Sequence, residues 1–221
     1  MKDGILVVDK PKGLTSHDVV DYTRKILGLK RIGHSGTLDP LASGVLVILI
    51  GKATKLFKSF LNFEKEYIAT LTLGKITDTG DALGKVLKEI PIPVIKEELI
   101  NQVIKEFIGE IQQVPPMVSA IRYKGKRLYQ LARRGIEVPR SPRKVNIKEL
   151  KLLSFHPPEI KFYIRCSTGT YIRQLACDIA QKLGCGGYIS EIERQGVGPY
   201  RIEDAVELEE INESHIRPWQ T

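Results

Sequence analysis

Six consecutive apolar residues, Val45-Leu-Val-Ile-Leu-Ile50, limit what this chain can fold into more than any other feature. A strand with one solvated face alternates apolar and polar side chains. An unbroken apolar run has no polar face to give to water and must be covered on both sides. The run therefore reads as a central strand. A second buried strand is predicted from Gly4 to Asp9, ended by the turn Lys10-Pro11-Lys12-Gly13. Thr15 or Ser16 then caps a helix that has Asp18 in its first turn. Val19, Val20, Thr23, Ile26 and Leu27 share one face of that helix and Gly28 ends it, with Arg24, Lys25, Lys30 and Arg31 as a basic rim.

Further along, Tyr67 to Gly74 alternates as a strand with one solvated face, and Ala53 to Leu61 fits a short helix. Thr77 to Asp81 is a polar loop. Leu99, Ile100, Val103, Ile104 and Phe107 repeat at helical spacing within Lys96 to Ile108. Lys161 to Cys166 alternates as a strand. Ile172, Leu175, Ala176, Ile179 and Leu183 then line one face of a helix over Thr170 to Leu183, closed by Gly184. Strands and helices mix without a βαβ rhythm, so the expected class is α+β rather than a doubly wound sheet. A chain of 221 residues suits one domain with a modest appendage, and the acidic stretch from about 203 to 221 is too short for a second one.

Formal net charge is +8 and the sequence pI about 9.3, which favours a polyanionic partner. Much of that charge lies between Ser119 and Lys151. Arg122, Lys124, Lys126, Arg127, Arg133, Arg134, Arg140, Arg143, Lys144, Lys148 and Lys151 face only Glu137 and Glu149, with Tyr123 and Tyr129 among them. Cations neutralise phosphates and aromatic rings stack on unpaired bases, so the stretch reads as an RNA-contacting insertion. The cysteines (Cys166, Cys177, Cys185) are odd in number with no CxxC pair, and the four histidines show no ligand spacing. Neither a disulfide framework nor a metal site is indicated. The N-terminal apolar run of four residues is too short for a signal peptide or a membrane span, so a cytoplasmic protein is expected.

The most distinctive segment is Gly33-His-Ser-Gly-Thr-Leu-Asp-Pro-Leu-Ala-Ser-Gly-Val-Leu46, a tight loop holding one carboxylate, Asp39, before Pro40. Taken alone, Asp-Pro is a turn former, and nothing local makes Asp39 catalytic. The segment closely resembles the signature loop of the TruB family of tRNA pseudouridine-55 synthases, G-H-x-G-x-L-D-P-x-A-x-G-x-L. Further matches follow in the family's order. They are Leu6 to Gly13 with its D-K-P-x-G, Lys65-Glu-Tyr67 with K-x-Y, and Leu73 to Asp81 with L-G-x-x-T-D-T-x-D. Pro115 to Tyr129 resembles the start of its RNA-gripping insertion. Cys166 to Arg173 and Leu183 to Gly186 match its C-x-x-G-T-Y-I-R and L-G-C-G.

The resemblance implies a pseudouridine synthase fold, with a mixed, largely antiparallel central sheet flanked by helices and loops and a basic RNA-gripping insertion. It implies one catalytic domain over 1–221, an insertion at about 115–148 and a short tail at about 203–221 with no full PUA domain. The catalytic aspartate is then Asp39, Tyr67 the ring that stacks on the target base, and Arg173 the arginine that pairs with the aspartate. His34, Lys65, Tyr171 and Ile192 fall at substrate-binding or supporting positions, although the family often has leucine where Ile192 stands. RNA-contacting cations are expected at Lys10, Arg122, Lys124, Lys126, Arg127, Arg133, Arg134, Arg140 and Arg143. The implied partner is the tRNA T stem-loop, met by a monomer without metal or cofactor. Guide-RNA-dependent relatives share the catalytic fold, but His34-Ser-Gly-Thr-Leu-Asp39 has the wording of the stand-alone branch.

Overall fold

The structure, a computed structural model, describes residues 3–219. Met1, Lys2, Gln220 and Thr221, the outer ends of the expected domain and tail, lie outside the described residues. The chain begins with β1 (Gly4–Lys10), α1 (Ser16–Leu27), β2 (Ile32–His34) and β3 (Ser43–Ile50). A 3-10 turn leads into the short α2 (Phe57–Phe60), then β4 (Lys65–Leu73) and the pair β5 (Lys75–Thr77) and β6 (Val86–Glu89). Next come α3 (Glu97–Lys105), β7 (Gly109–Gln113), β8 (Arg122–Tyr123), β9 (Lys126–Arg127) and α4 (Leu128–Ala132). The remainder is β10 (Arg143–His156), β11 (Glu159–Cys166), α5 (Ile172–Lys182), β12 (Gly187–Val197), β13 (Tyr200–Arg201) and β14 (Val206–Glu207). This is the expected α+β class, with mostly antiparallel pairing.

The described chain divides into two compact units, the residues up to 68 with those from 192 onward, and residues 69–191. Strands β4 and β12 contribute residues to each. In the first unit β3 is central, as its composition requires. It pairs antiparallel with β1 from Gly4↔Ile50 to Lys10↔Gly44, antiparallel with β2, and parallel with β12 at Arg194↔Gly44. Every residue from Gly44 to Ile50 is buried. Ile5, Val7, Val45, Val47, Leu49, Phe60 and Val197 form the core on one side.

Helix α1 starts at Thr15, whose hydroxyl accepts the Asp18 N–H at 3.1 Å while the Asp18 carboxylate accepts the Thr15 N–H at 2.7 Å. Gly28 closes it in the left-handed conformation at φ 62°. Ser16, Val19, Val20, Thr23 and Leu27 are its buried face. Ile26, expected on that face, lies to one side and stays 48% exposed. The predicted helix over Ala53 to Leu61 is split between the 3-10 turn Gly51–Leu56 and the four residues of α2.

In the second unit β7, β10 and β11 stand in order next to the Ala69–Leu73 part of β4, which neighbours the Gly187–Glu191 part of β12. The face of β4 expected to meet water is instead covered: Thr70 is buried and Thr72 half-buried, its hydroxyl donating to Ser190 Oγ at 2.8 Å. Ile100, Val103 and Ile104 of α3 are buried, whereas Leu99 remains 40% exposed. The basic stretch proves to be two structures. Residues 115–142 leave β7 and return in register, since Gln113 pairs with Arg143. From Arg143 onward, including the 143–148 end of the expected insertion, the chain is β10. There Val145, Ile147 and Leu150 point inward and Arg143, Lys144, Lys148 and Lys151 are exposed.

Candidate active site

Asp39 sits, half-buried, in the loop joining β2 to β3, and the loop is fastened along its length. Ser16, buried at the start of α1, accepts the Leu38 N–H at 2.8 Å through Oγ and donates to the Leu38 carbonyl at 3.1 Å. The Gly13 N–H reaches the Pro40 carbonyl at 2.8 Å, and the Ala42 N–H reaches that of Asp39 at 3.0 Å. Upstream, the Ser35 N–H bonds the Val47 carbonyl at 2.9 Å. The residues before and after Asp39 are thus held by groups outside the loop, which fixes where its carboxylate starts from.

Two buried cations accompany this loop. Lys10 is 0% exposed, and its ammonium donates to the Pro11 and Leu14 carbonyls, each at 2.7 Å. Burial lowers its pKa to about 8, opposed by the negative charge of Asp39 and reinforced by the positive charge of Arg194. Arg194, on β12 and 2% exposed, donates from Nε to the Val45 carbonyl at 2.7 Å and from Nη2 to the Gly36 carbonyl at 3.2 Å. Close approach is possible because position 44 is glycine. Its φ is +97°, and a Cβ there would lie 2.4 Å from the Arg194 carbonyl oxygen. Lys10 was expected to meet RNA. Its amine is instead buried on the Pro11 and Leu14 carbonyls of the turn before α1, within electrostatic range of Asp39.

His34, on β2 opposite Ile48, is half-buried. Burial, then the charges of Arg194 and His17, pushes its pKa down, so the ring is neutral at pH 7. Lys65 is buried and donates to the Phe60 and Phe63 carbonyls at 3.0 and 2.6 Å, which ties the end of α2 to the start of β4. Tyr67, two residues on, and Ile192 of β12 are both buried.

The second unit carries Tyr171 and Arg173. Arg173, at the start of α5, is 4% exposed. It donates from Nη1 to the Thr79 carbonyl at 2.7 Å and from Nη2 to that of Val118 at 2.8 Å, and its Nε stands 3.6 Å from an Asp81 carboxylate oxygen. Asp81 is itself buried, taking the Thr79 hydroxyl at 2.6 Å and the Leu83 N–H at 3.1 Å. The loop read as merely polar therefore supplies a buried carboxylate. Tyr171 is set by Gln113, whose amide accepts the Tyr171 N–H at 2.8 Å and donates to its carbonyl at 3.1 Å.

The remaining cations lie on the 115–142 arm and the start of β10. Arg122, Lys124, Lys126, Arg127, Arg133, Arg134 and Arg143 are exposed. Arg140 is half-buried, bonded to the Pro115 carbonyl at 3.3 Å and to Glu137 at 2.9 Å, and is less available than its neighbours. Lys124 lies 5.7 Å from the Tyr123 ring centre and Arg133 lies 5.6 Å from that of Tyr129. Nothing in the sequence marks Arg194, Ser16 or Gln113 as parts of a site. Each acts through backbone carbonyls or N–H groups far along the chain, which leave no local pattern.

Residues 24–172 match the family described as TruB family pseudouridylate synthase (N terminal domain), and residues 173–219 match the tRNA pseudouridylate synthase B C-terminal domain. The chain is 50% identical over 217 residues to the tRNA pseudouridine synthase B of Clostridium tetani, covering 98% of this chain and 75% of that one. Against the tRNA pseudouridine synthase B of Opitutus terrae it is 44% identical over 209 residues, covering 95% and 87%. A solved structure described as a Cbf5-Nop10-Gar1 complex superposes with a TM-score of 0.74 at 34% identity, over 93% of this chain and 52% of that one. The chain thus spans about half the length of that solved chain. Fold and sequence together place the molecule among the pseudouridylate synthases. Within them, it belongs to the TruB family.

Proposed function

We propose that the chain isomerises uridine 55 in the T loop of tRNA to pseudouridine, with Asp39 as the carboxylate at the reacting sugar. The observation that carries the proposal is the Asp39 loop. Its wording is that of the family, and its backbone is pinned at Gly36, Leu38, Pro40 and Val45 by Arg194, Ser16 and Gly13. Groups held before substrate arrives need no reorganisation during the reaction.

The isomerisation breaks C1′–N1, turns the freed base, joins C1′ to C5 and releases the C5 proton. It involves no net oxidation and no net hydrolysis, so it calls for no electron carrier. Asp39 serves this sequence as nucleophile at C1′, as base toward a sugar proton, or as a counter-charge for the sugar. Tyr67 offers its ring to the detached base and mediates loss of the C5 proton. Arg173 takes the role that the family's pattern gives it, a guanidinium that keeps a carboxylate ionised. A neutral His34, with Tyr171 and Ile192, holds the nucleotide once it has left its stack, a step costing about a few kcal/mol. Lys65 supports Tyr67 through the strand start it secures.

The exposed cations of the arm and Arg143 meet phosphates, and Tyr123 and Tyr129 present stacking faces. The enzyme acts as a cytoplasmic monomer. The test is tritium release from a tRNA transcript carrying 5-tritiated uridine, without added RNA, followed by mapping of the product. Release with pseudouridine at position 55 is expected. Normal tRNA binding without release overturns the enzymatic reading, and modification elsewhere overturns the substrate assignment.

A further inference from the structure

Arg194 has no contact with the nucleotide among the roles above, yet it is among the largest fully buried side chains. A buried guanidinium is costly unless its donors are used. Its Nη2 and Nε bonds go to the two ends of a single loop, to Gly36 three residues before Asp39 and to Val45 six residues after it. Its own backbone lies beside Gly44 in the parallel pairing of β12 with β3. That approach requires a residue without Cβ, because one built at Gly44 would sit 2.4, 2.8 and 3.0 Å from the Arg194 O, N and C atoms. Arg194 is therefore attached to the loop by side chain and main chain at three points.

We propose that Arg194 is a positioning residue for the reaction, a two-pronged clamp that closes the Asp39 loop at its base and so sets the height of the Asp39 carboxylate over the flipped nucleotide. The inference rests on the reading of Asp39 as the catalytic carboxylate. A fork is needed, because the Gly36 and Val45 carbonyls lie on different segments and are met by different nitrogens of one planar group. An ammonium on a flexible stem offers point donors without that fixed spacing. Small errors in placing a reacting group cost rate far more than affinity. The clamp should therefore show itself in turnover and not in tRNA capture.

The experiment compares wild type, Arg194→Lys, Arg194→Met and Asp39→Asn in two measurements on the full chain. One is the single-turnover rate of tritium release at saturating enzyme, and the other is the Kd for the same tRNA. Thermal melting is recorded alongside. Expected are a rate reduced about tenfold in Arg194→Lys and about a hundredfold in Arg194→Met, with Kd within about threefold of wild type in both. A folded Arg194→Lys or Arg194→Met that turns over at the wild-type rate overturns the clamp, as does a loss confined to Kd. If Arg194→Met does not fold, Arg194→Lys decides. If neither folds, the guanidinium is a structural pillar and the positioning role is wrong. Asp39→Asn separates the two claims: full release from it defeats the catalytic reading itself, whereas its silence beside an unaffected Arg194→Met defeats only the clamp.

Discussion

Between Gly36 and Val45 the backbone is tied at short intervals to groups elsewhere in the chain, through the buried Arg194 and Ser16 and through Gly13. Between Pro115 and Pro142 the ties are mostly local. Arg122 bonds the Gly125 carbonyl three residues on, the Leu128 N–H turns back to Ile121, and the two-residue strands β8 and β9 pair with each other. Leu128 and Leu131 are its buried apolar residues, while most of its cations are exposed. The same chain has thus built one segment for precision and another for charge. A carboxylate that acts on a sugar must be placed before substrate arrives, whereas a phosphate contact tolerates movement because its energy falls off slowly with distance.

The contrast can be broken most severely at Gly44. Gly44→Ala combines a φ of +97° with a Cβ 2.4 Å from the Arg194 oxygen. It should cost about 3 kcal/mol or more in urea unfolding. A loss under about 1 kcal/mol would mean that the loop base yields readily, and the difference between the two segments would shrink.

Lys10 offers a pH-dependent test of similar size. Its folded pKa is about 8, against 10.5 ordinarily, so between those values the unfolded chain binds more protons. The full burial cost is present below pH 8, and stability attributable to Lys10 rises toward pH 10.5 by about 3 kcal/mol. Stability of wild type relative to Lys10→Met should climb across that window. A flat difference would show that the amine is solvated.

Smaller again, Ser16→Ala leaves the Leu38 N–H and carbonyl without their partner and should cost about 1–3 kcal/mol, together with a slower turnover. Unchanged stability would place water at Leu38 and loosen the argument for a held Asp39. At the arm the expectation reverses. Arg133→Gln with Arg134→Gln should alter stability by no more than about 0.5 kcal/mol. It should weaken tRNA binding and reduce the slope of log Kd against log salt by about 1.5–2. An unchanged slope would return the arm to an ordinary solvated surface.

What could be read in the sequence follows how locally each feature is determined. The Val45–Ile50 run, the Thr15 and Asp18 cap with Gly28, the Ile100, Val103 and Ile104 face of α3 and the face of α5 depend on neighbours within a few residues, and all recur in the structure. Arg194 gives no such sign, because an arginine in an alternating strand reads as solvent-facing until its partners, 149 and 158 residues away, are known. Lys10 follows a strand at an Asp-Lys-Pro turn and reads as exposed. Asp81 sits in a loop of threonines and aspartates, where nothing marks one carboxylate as the buried one facing Arg173. The end of the basic stretch is obscured for the opposite reason. Its dense charge masks the inward alternation of Val145 and Ile147 that makes it β10.

The central claim is that a firmly held Asp39 performs the chemistry while separate cations supply the grip. Asp39→Asn keeps the size and shape of the side chain and removes only its charge and basicity. Mixed at saturating concentration with 5-tritiated tRNA, it should bind with the wild-type Kd and release no tritium. Release at the wild-type rate would contradict the account.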